Sequence, residues 1–106
     1  MPLVKAGQIE LSYDRAGEGP PLLLIMGMSG TKHHWGDAVL DELRGDFDTI
    51  VYDHRDAGDS TRTGQPFTIA DLAEDAAGLL AALEIDSAHV MGISMGGMIA
   101  QELTLA

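Results

Sequence analysis

Residues Leu22 to Met26 read Leu-Leu-Leu-Ile-Met, an unbroken apolar run between the breaker cluster Gly17-Glu18-Gly19-Pro20-Pro21 and Gly27. A membrane-spanning helix needs roughly 20 such residues, so the run is far too short to be one. It shows no polar alternation. It can be a strand only if both of its faces are covered, which is the condition inside a parallel sheet. Thr49-Ile50-Val51-Tyr52 reads as a second buried strand, and Ala88 to Met91 as a short apolar strand. Helical patterns separate these runs. A short helix is predicted from Trp35 or Gly36 to Arg44, with Gly45 placed to cap its C-terminus. A longer helix follows Thr68, with Leu72, Ala76, Leu79, Leu80 and Leu83 on one face. Thr68 and Asp71 stand at capping-box spacing, with Phe67 and Leu72 at the flanking staple positions. A last helical stretch runs from Met95 to the end. Near the N-terminus, Ile9, Leu11 and Tyr13 alternate with Gln8, Glu10, Ser12 and Asp14. That is a half-exposed strand, joined through Gly7 to a short strand at Leu3 to Ala6.

A β-hairpin followed by alternating strands and helices predicts an α/β domain. The buried strands should run parallel, with right-handed crossovers and helices on both faces of the sheet. Sites in this class lie at the carboxyl ends of the strands. The loops after Met26, Tyr52 and Met91 should therefore converge. Composition narrows the function. Among 106 residues, 17 are acidic and 6 basic, a formal net charge of −11. A polyanion is repelled by nucleic acid and by anionic membrane surfaces, so neither is an expected partner. Without cysteine there is no disulfide, no thiolate nucleophile and no thiolate metal site. The start, Met1-Pro2-Leu3-Val4-Lys5, lacks a secretory pattern, and the expected location is cytoplasmic.

The three converging loops carry the chemistry. The third is Gly92-Ile93-Ser94-Met95-Gly96, a G-x-S-x-G sequence between a strand and a helix. A sharp strand-to-helix turn strains the backbone at the serine and lifts its hydroxyl above the sheet. The flanking glycines are required because larger side chains would collide. The Met95 amide then opens a helix, where the dipole favours developing negative charge. The first loop, Gly27-Met28-Ser29-Gly30, offers the Met28 amide as a second donor. The middle loop reads Asp53-His54-Arg55-Asp56-Ala57-Gly58-Asp59-Ser60, in which Asp53 and Arg55 are expected to brace the loop.

A strand ending at Gly27, a tryptophan opening the next helix, a D-x-R-x-x-G-x-S loop and a G-x-S-x-G elbow, in this order, resemble the α/β-hydrolase family. The resemblance spans Leu11 to Leu105. The wording of the loops is similar to the branch of aclacinomycin methylesterase-like serine esterases. It implies ester hydrolysis through an acyl-enzyme on Ser94, with no metal or organic cofactor. The backbone amides of Met95 and Met28 would form the oxyanion hole, and Gly92, Gly96, Gly27, Asp53 and Arg55 would be structural support. The chain departs from the usual pattern at Met26, where most members carry histidine, and at Asp56, where glycine commonly follows the arginine. In this fold the nucleophile is followed in the chain by an acid and then a histidine. After Ser94 the sequence holds one acid, Glu102, and no histidine.

Residues 1–106 are therefore expected to be the N-terminal portion of a single α/β-hydrolase domain, with an incomplete sheet. The remaining strands, the cap, the acid and the histidine would come from another segment, present as a second chain or fragment. The chain alone would be largely inactive towards a small-molecule ester. Two other readings stay open: a non-catalytic interaction module that pairs through its open sheet edge, and a cofactor-free haloperoxidase. His89 is expected at the surface, at the end of the sheet opposite the site. His54 is expected to be structural, and His33 and His34 to lie near Trp35, in a position to line an entrance. Met26, Met28, Met95 and Met98 suit either an apolar substrate wall or core packing.

Overall fold

The computed structural model describes residues 3–7, 9–27 and 35–105. Gly7 adopts a φ of 70° and turns strand β1 (Leu3–Ala6) back onto β2 (Ile9–Ala16). Along the chain follow β3 (Pro21–Ile25), α1 (Asp37–Arg44), β4 (Asp48–Tyr52), α2 (Ile69–Ala82), β5 (His89–Gly92) and α3 (Met95–Leu105). The five strands form one sheet in the order β1-β2-β4-β3-β5. β1 and β2 are antiparallel, as are β2 and β4, whereas β3 runs parallel to both β4 and β5. No helix among the described residues is long and apolar enough to cross a membrane.

The apolar run is explained by two cores on opposite faces of the sheet. Leu22, Leu24 and Val51 pack with Met26, Trp35 and Leu40 on the α1 face. Leu23, Ile25, Ile50 and Tyr52 pack with Leu72, Ala76 and Leu79 of α2 and with Met95 and Ile99 of α3. Each fully buried Leu or Ile contributes about 1.5–3 kcal/mol relative to exposure. The start of α2 is fixed locally. The Asp71 amide donates to Thr68 Oγ1 at 3.1 Å, and the Thr68 amide donates to the Asp71 carboxylate at 2.9 Å.

Three details differ from the sequence reading, which leaves Met98 open between core and substrate wall. The first helix begins at Asp37, after Gly36, and Gly45 ends it in a right-handed rather than a left-handed conformation. The last strand is displaced by one residue, to His89–Gly92. Ser12, placed by alternation on the open face, is fully buried because the loop after β4 folds over it. Met98 is not core: it is 52% exposed, beside exposed Met91 and Ile93. Met26, by contrast, is buried.

If packing dominates, Leu79→Ala costs about 2–5 kcal/mol in urea denaturation, against about 1 kcal/mol for loss of the cap in Thr68→Ala. Equal costs would contradict this account of the core.

Candidate active site

Between Gly92 at the end of β5 and Met95 at the start of α3 only Ile93 and Ser94 make the turn. Ser94 takes a φ of 56°, in the left-handed region. For a non-glycine residue this costs on the order of 1–3 kcal/mol, and it persists only where surrounding structure enforces it. The enforcement is visible. The Ile93 amide donates to the Ile25 carbonyl at 3.1 Å, the Gly96 amide to Ile93 at 2.8 Å and the Gly97 amide to Ser94 at 2.9 Å. A Cβ on Gly96 would fall on the Ile25 carbonyl oxygen, and one on Gly92 on the Gly96 carbonyl. Ser94 itself is exposed, while Met95 beside it is buried. The first N–H groups of a helix have no intrahelical acceptor. The Gly96 and Gly97 amides are taken up by the turn itself, so the elbow sets the Met95 amide beside the exposed serine.

The first loop reaches this elbow. A Cβ on Gly27 would lie 3.2 Å from the Ile93 carbonyl oxygen, 3.4 Å from Ser94 Cβ and 3.8 Å from the Met95 nitrogen. Met28, the expected second oxyanion donor, lies outside the described residues, as do His33 and His34. Among the described residues, His, Asp and Glu side chains form no group of three or more suited to a metal ion.

The middle loop is bound on every side. The Asp53 amide donates to Ser12 O at 2.9 Å, and the Ser60 hydroxyl donates to Asp53 O at 2.7 Å. The Ser12 amide in turn donates to Ser60 Oγ at 2.8 Å. The Asp53 carboxylate accepts from the Asp59 amide at 3.0 Å. Arg55 makes a two-pronged ion pair with Asp75 of α2, with both N···O distances 2.7 Å. Planar guanidinium and carboxylate groups match in this geometry. Asp53 and Arg55 thus face inward, to the loop and to α2.

The partner of His54 is what sequence reasoning missed. His54 is buried, and its Nε2 lies 2.7 Å from the Met26 carbonyl oxygen. A carbonyl only accepts, so Nε2 carries the proton and Nδ1 is bare. Among the described residues Nδ1 is buried without a partner. The ring stands edge-on to Tyr52, centroids 5.2 Å apart. The missing signal was register. Leu24 pairs with Val51, so continuing both parallel strands brings the residues after Tyr52 alongside Met26 and Gly27. His89 is exposed and packs edge-on against Phe47.

Residues 20–106 match the family model described as the alpha/beta hydrolase fold. The chain belongs to the α/β-hydrolase family. Among its relatives, RutD of Azorhizobium caulinodans, to which carbamate hydrolysis is ascribed, is 38% identical over 106 residues, covering 100% of this chain and 40% of RutD. Rhodomycin D methylesterase DauP of Streptomyces sp. strain C5 is 41% identical over 90 residues, 80% of this chain and 30% of DauP. The crystal structure of a hydrolase from Pseudomonas aeruginosa superposes with a TM-score of 0.90 at 38% identity, covering 97% of this chain and 40% of that one. The chain therefore spans about 40% or less of the length of these relatives.

Two outcomes follow. Gly96→Ala should unfold the elbow, whereas Gly97→Ala, whose Cβ would meet nothing closer than 3.9 Å, should be neutral or stabilise α3 by up to about 1 kcal/mol. Thermal melts of the two variants check this. The second concerns pH. Burial holds the His54 imidazole below its ordinary value of 6.5, against the Met26 hydrogen bond and the charges of Asp75 and Asp53. Tyr52, whose own phenol burial pushes up, and the Arg55–Asp75 pair complete its surroundings. Below pH 6.5 the unfolded chain takes up a proton that folded His54 resists. Its contribution is therefore complete above that pH and is lost as pH falls through the lower folded value. Wild-type urea midpoints should fall more steeply from pH 7.5 to 5 than those of His54→Gln. Parallel slopes would contradict the assignment.

Proposed function

We propose that this chain is the nucleophile-bearing portion of a serine hydrolase that cleaves carboxylic esters. The observation that carries the reading is Ser94: exposed, held at a φ of 56°, and seated between two glycines that nothing larger can replace. The match to a methylesterase supports an ester as substrate class. In the proposed reaction Ser94 Oγ attacks the ester carbonyl carbon while a base takes its proton. The resulting oxyanion is held by the backbone amides of Met95 and Met28. The intermediate expels the alcohol, which leaves with the transferred proton, and forms an acyl-enzyme. Water then releases the acid and restores the hydroxyl. This route uses no metal or organic cofactor. Gly92, Gly96, Gly27, Asp53 and Arg55 hold the frame.

The catalytic acid and histidine come, in this reading, from a further segment of the α/β-hydrolase domain, and the assembled enzyme works in the cytoplasm. The assembled enzyme should hydrolyse p-nitrophenyl esters, and Ser94→Ala should lower kcat by about 10⁴-fold or more. The 106-residue chain by itself should show little turnover, because an unassisted serine hydroxyl is a weak nucleophile. Undiminished turnover in Ser94→Ala would overturn the proposal. So would peroxide-dependent halogenation without ester turnover.

A further inference from the structure

Among the described residues His54 is the one buried imidazole, and the only hydrogen bond of its ring goes to the site side of the sheet. Its acceptor, the Met26 carbonyl, lies at the end of β3. A Cβ on Gly96 would sit 3.1 Å from that same oxygen. The next residue, Gly27, packs against Ile93 and Ser94. A continuous path of contact thus runs from the imidazole through the Met26–Gly27 peptide to the elbow. The imidazole is itself constrained. Tyr52 fixes one edge of the ring, and the Arg55–Asp75 pair ties the adjacent loop residue to α2.

We infer that His54 is a positioning residue for Ser94: its Nε2–H fixes the rotation of the Met26–Gly27 peptide, and that peptide sets the wall against which the nucleophile elbow rests. The inference rests on the reading of Ser94 as nucleophile. A purely structural histidine would stabilise the loop and leave the chemical step alone. A positioning histidine affects the step itself, because misplacing reacting groups by about 1 Å can cost on the order of 10²-fold. The required feature is one donor at the Nε2 position, with no charge. Burial supports this form by keeping the ring neutral. Glutamine can present an amide N–H from a side chain of similar reach, whereas phenylalanine fills the space and donates nothing.

The test uses the assembled enzyme and a p-nitrophenyl ester, with Ser94→Ala run in parallel. His54→Phe should lower kcat by about 10- to 100-fold with KM changed less than about threefold. His54→Gln should keep kcat within about threefold of wild type, even where its melting temperature falls as far as that of His54→Phe. Equal kcat in His54→Phe and wild type overturns the inference, and so does a loss that tracks only the folded fraction. Turnover that survives Ser94→Ala overturns the reading of the site and this inference with it. Turnover that needs Ser94 but ignores His54 overturns the inference alone. A second measurement needs no variant. The ¹⁵N signals of the wild-type imidazole should report an Nε2–H tautomer and shift when Ser94 is phosphonylated. An Nδ1–H tautomer, or signals that do not move, counts against it.

Discussion

The carboxyl end of β3 is the point on which the rest of the structure depends. Three consecutive residues there take on separate tasks. The Ile25 carbonyl accepts the Ile93 amide and lies where any side chain on residue 96 would have to go. The Met26 carbonyl accepts from His54. Gly27 passes close against Ser94. β3 can serve in this way because it is an interior strand, flanked by β4 and β5 and covered on both faces. The apolar run that makes it interior is therefore also the reason its end is rigid enough to hold a strained serine. Backbone strain of this kind needs surroundings that over-determine it, and an interior strand supplies them.

Around that point, the charged groups and most of the loop's hydrogen bonds are paired internally, while Ser12 Oγ, Tyr52 OH and His54 Nδ1 are buried without a partner among the described residues. The middle loop returns its hydrogen bonds to β2, to itself and to α2. Arg55 and Asp75 neutralise each other where an unpaired charge would be costly to bury. The loop consequently works as a fixed part that carries the position of α2 to the end of β4, and from there, through His54, to the end of β3.

Much of this was legible in the sequence because the determinants are local. A strand covered on both faces must be apolar at every position, so Leu22 to Met26 announces its own environment. The capping box at Thr68 and Asp71 involves residues three apart, and the elbow is contained within Gly92 to Gly96. The rest depends on which residues meet across the sheet. Ser12 looks like the polar half of an alternating strand, and only the folding of the Asp53–Ser60 loop onto β2 explains its burial. The exposure of Met98 follows from the rotation of α3 against the sheet, which a short helix with small residues does not encode. His54 reads as a loop residue until the β3–β4 register brings it to Met26. Of the candidate site, the serine and its glycines could be read directly, whereas the imidazole that braces them required the tertiary pairing.

The central claim is that the hydroxyl of Ser94 is the attacking group. Its most direct test is to treat the assembled enzyme with a fluorophosphonate, digest it, and locate the adduct by mass spectrometry. A single stoichiometric adduct is expected on the peptide containing Ser94, suppressed by competing ester. An adduct on another residue, or activity abolished with Ser94 unmodified, would contradict it.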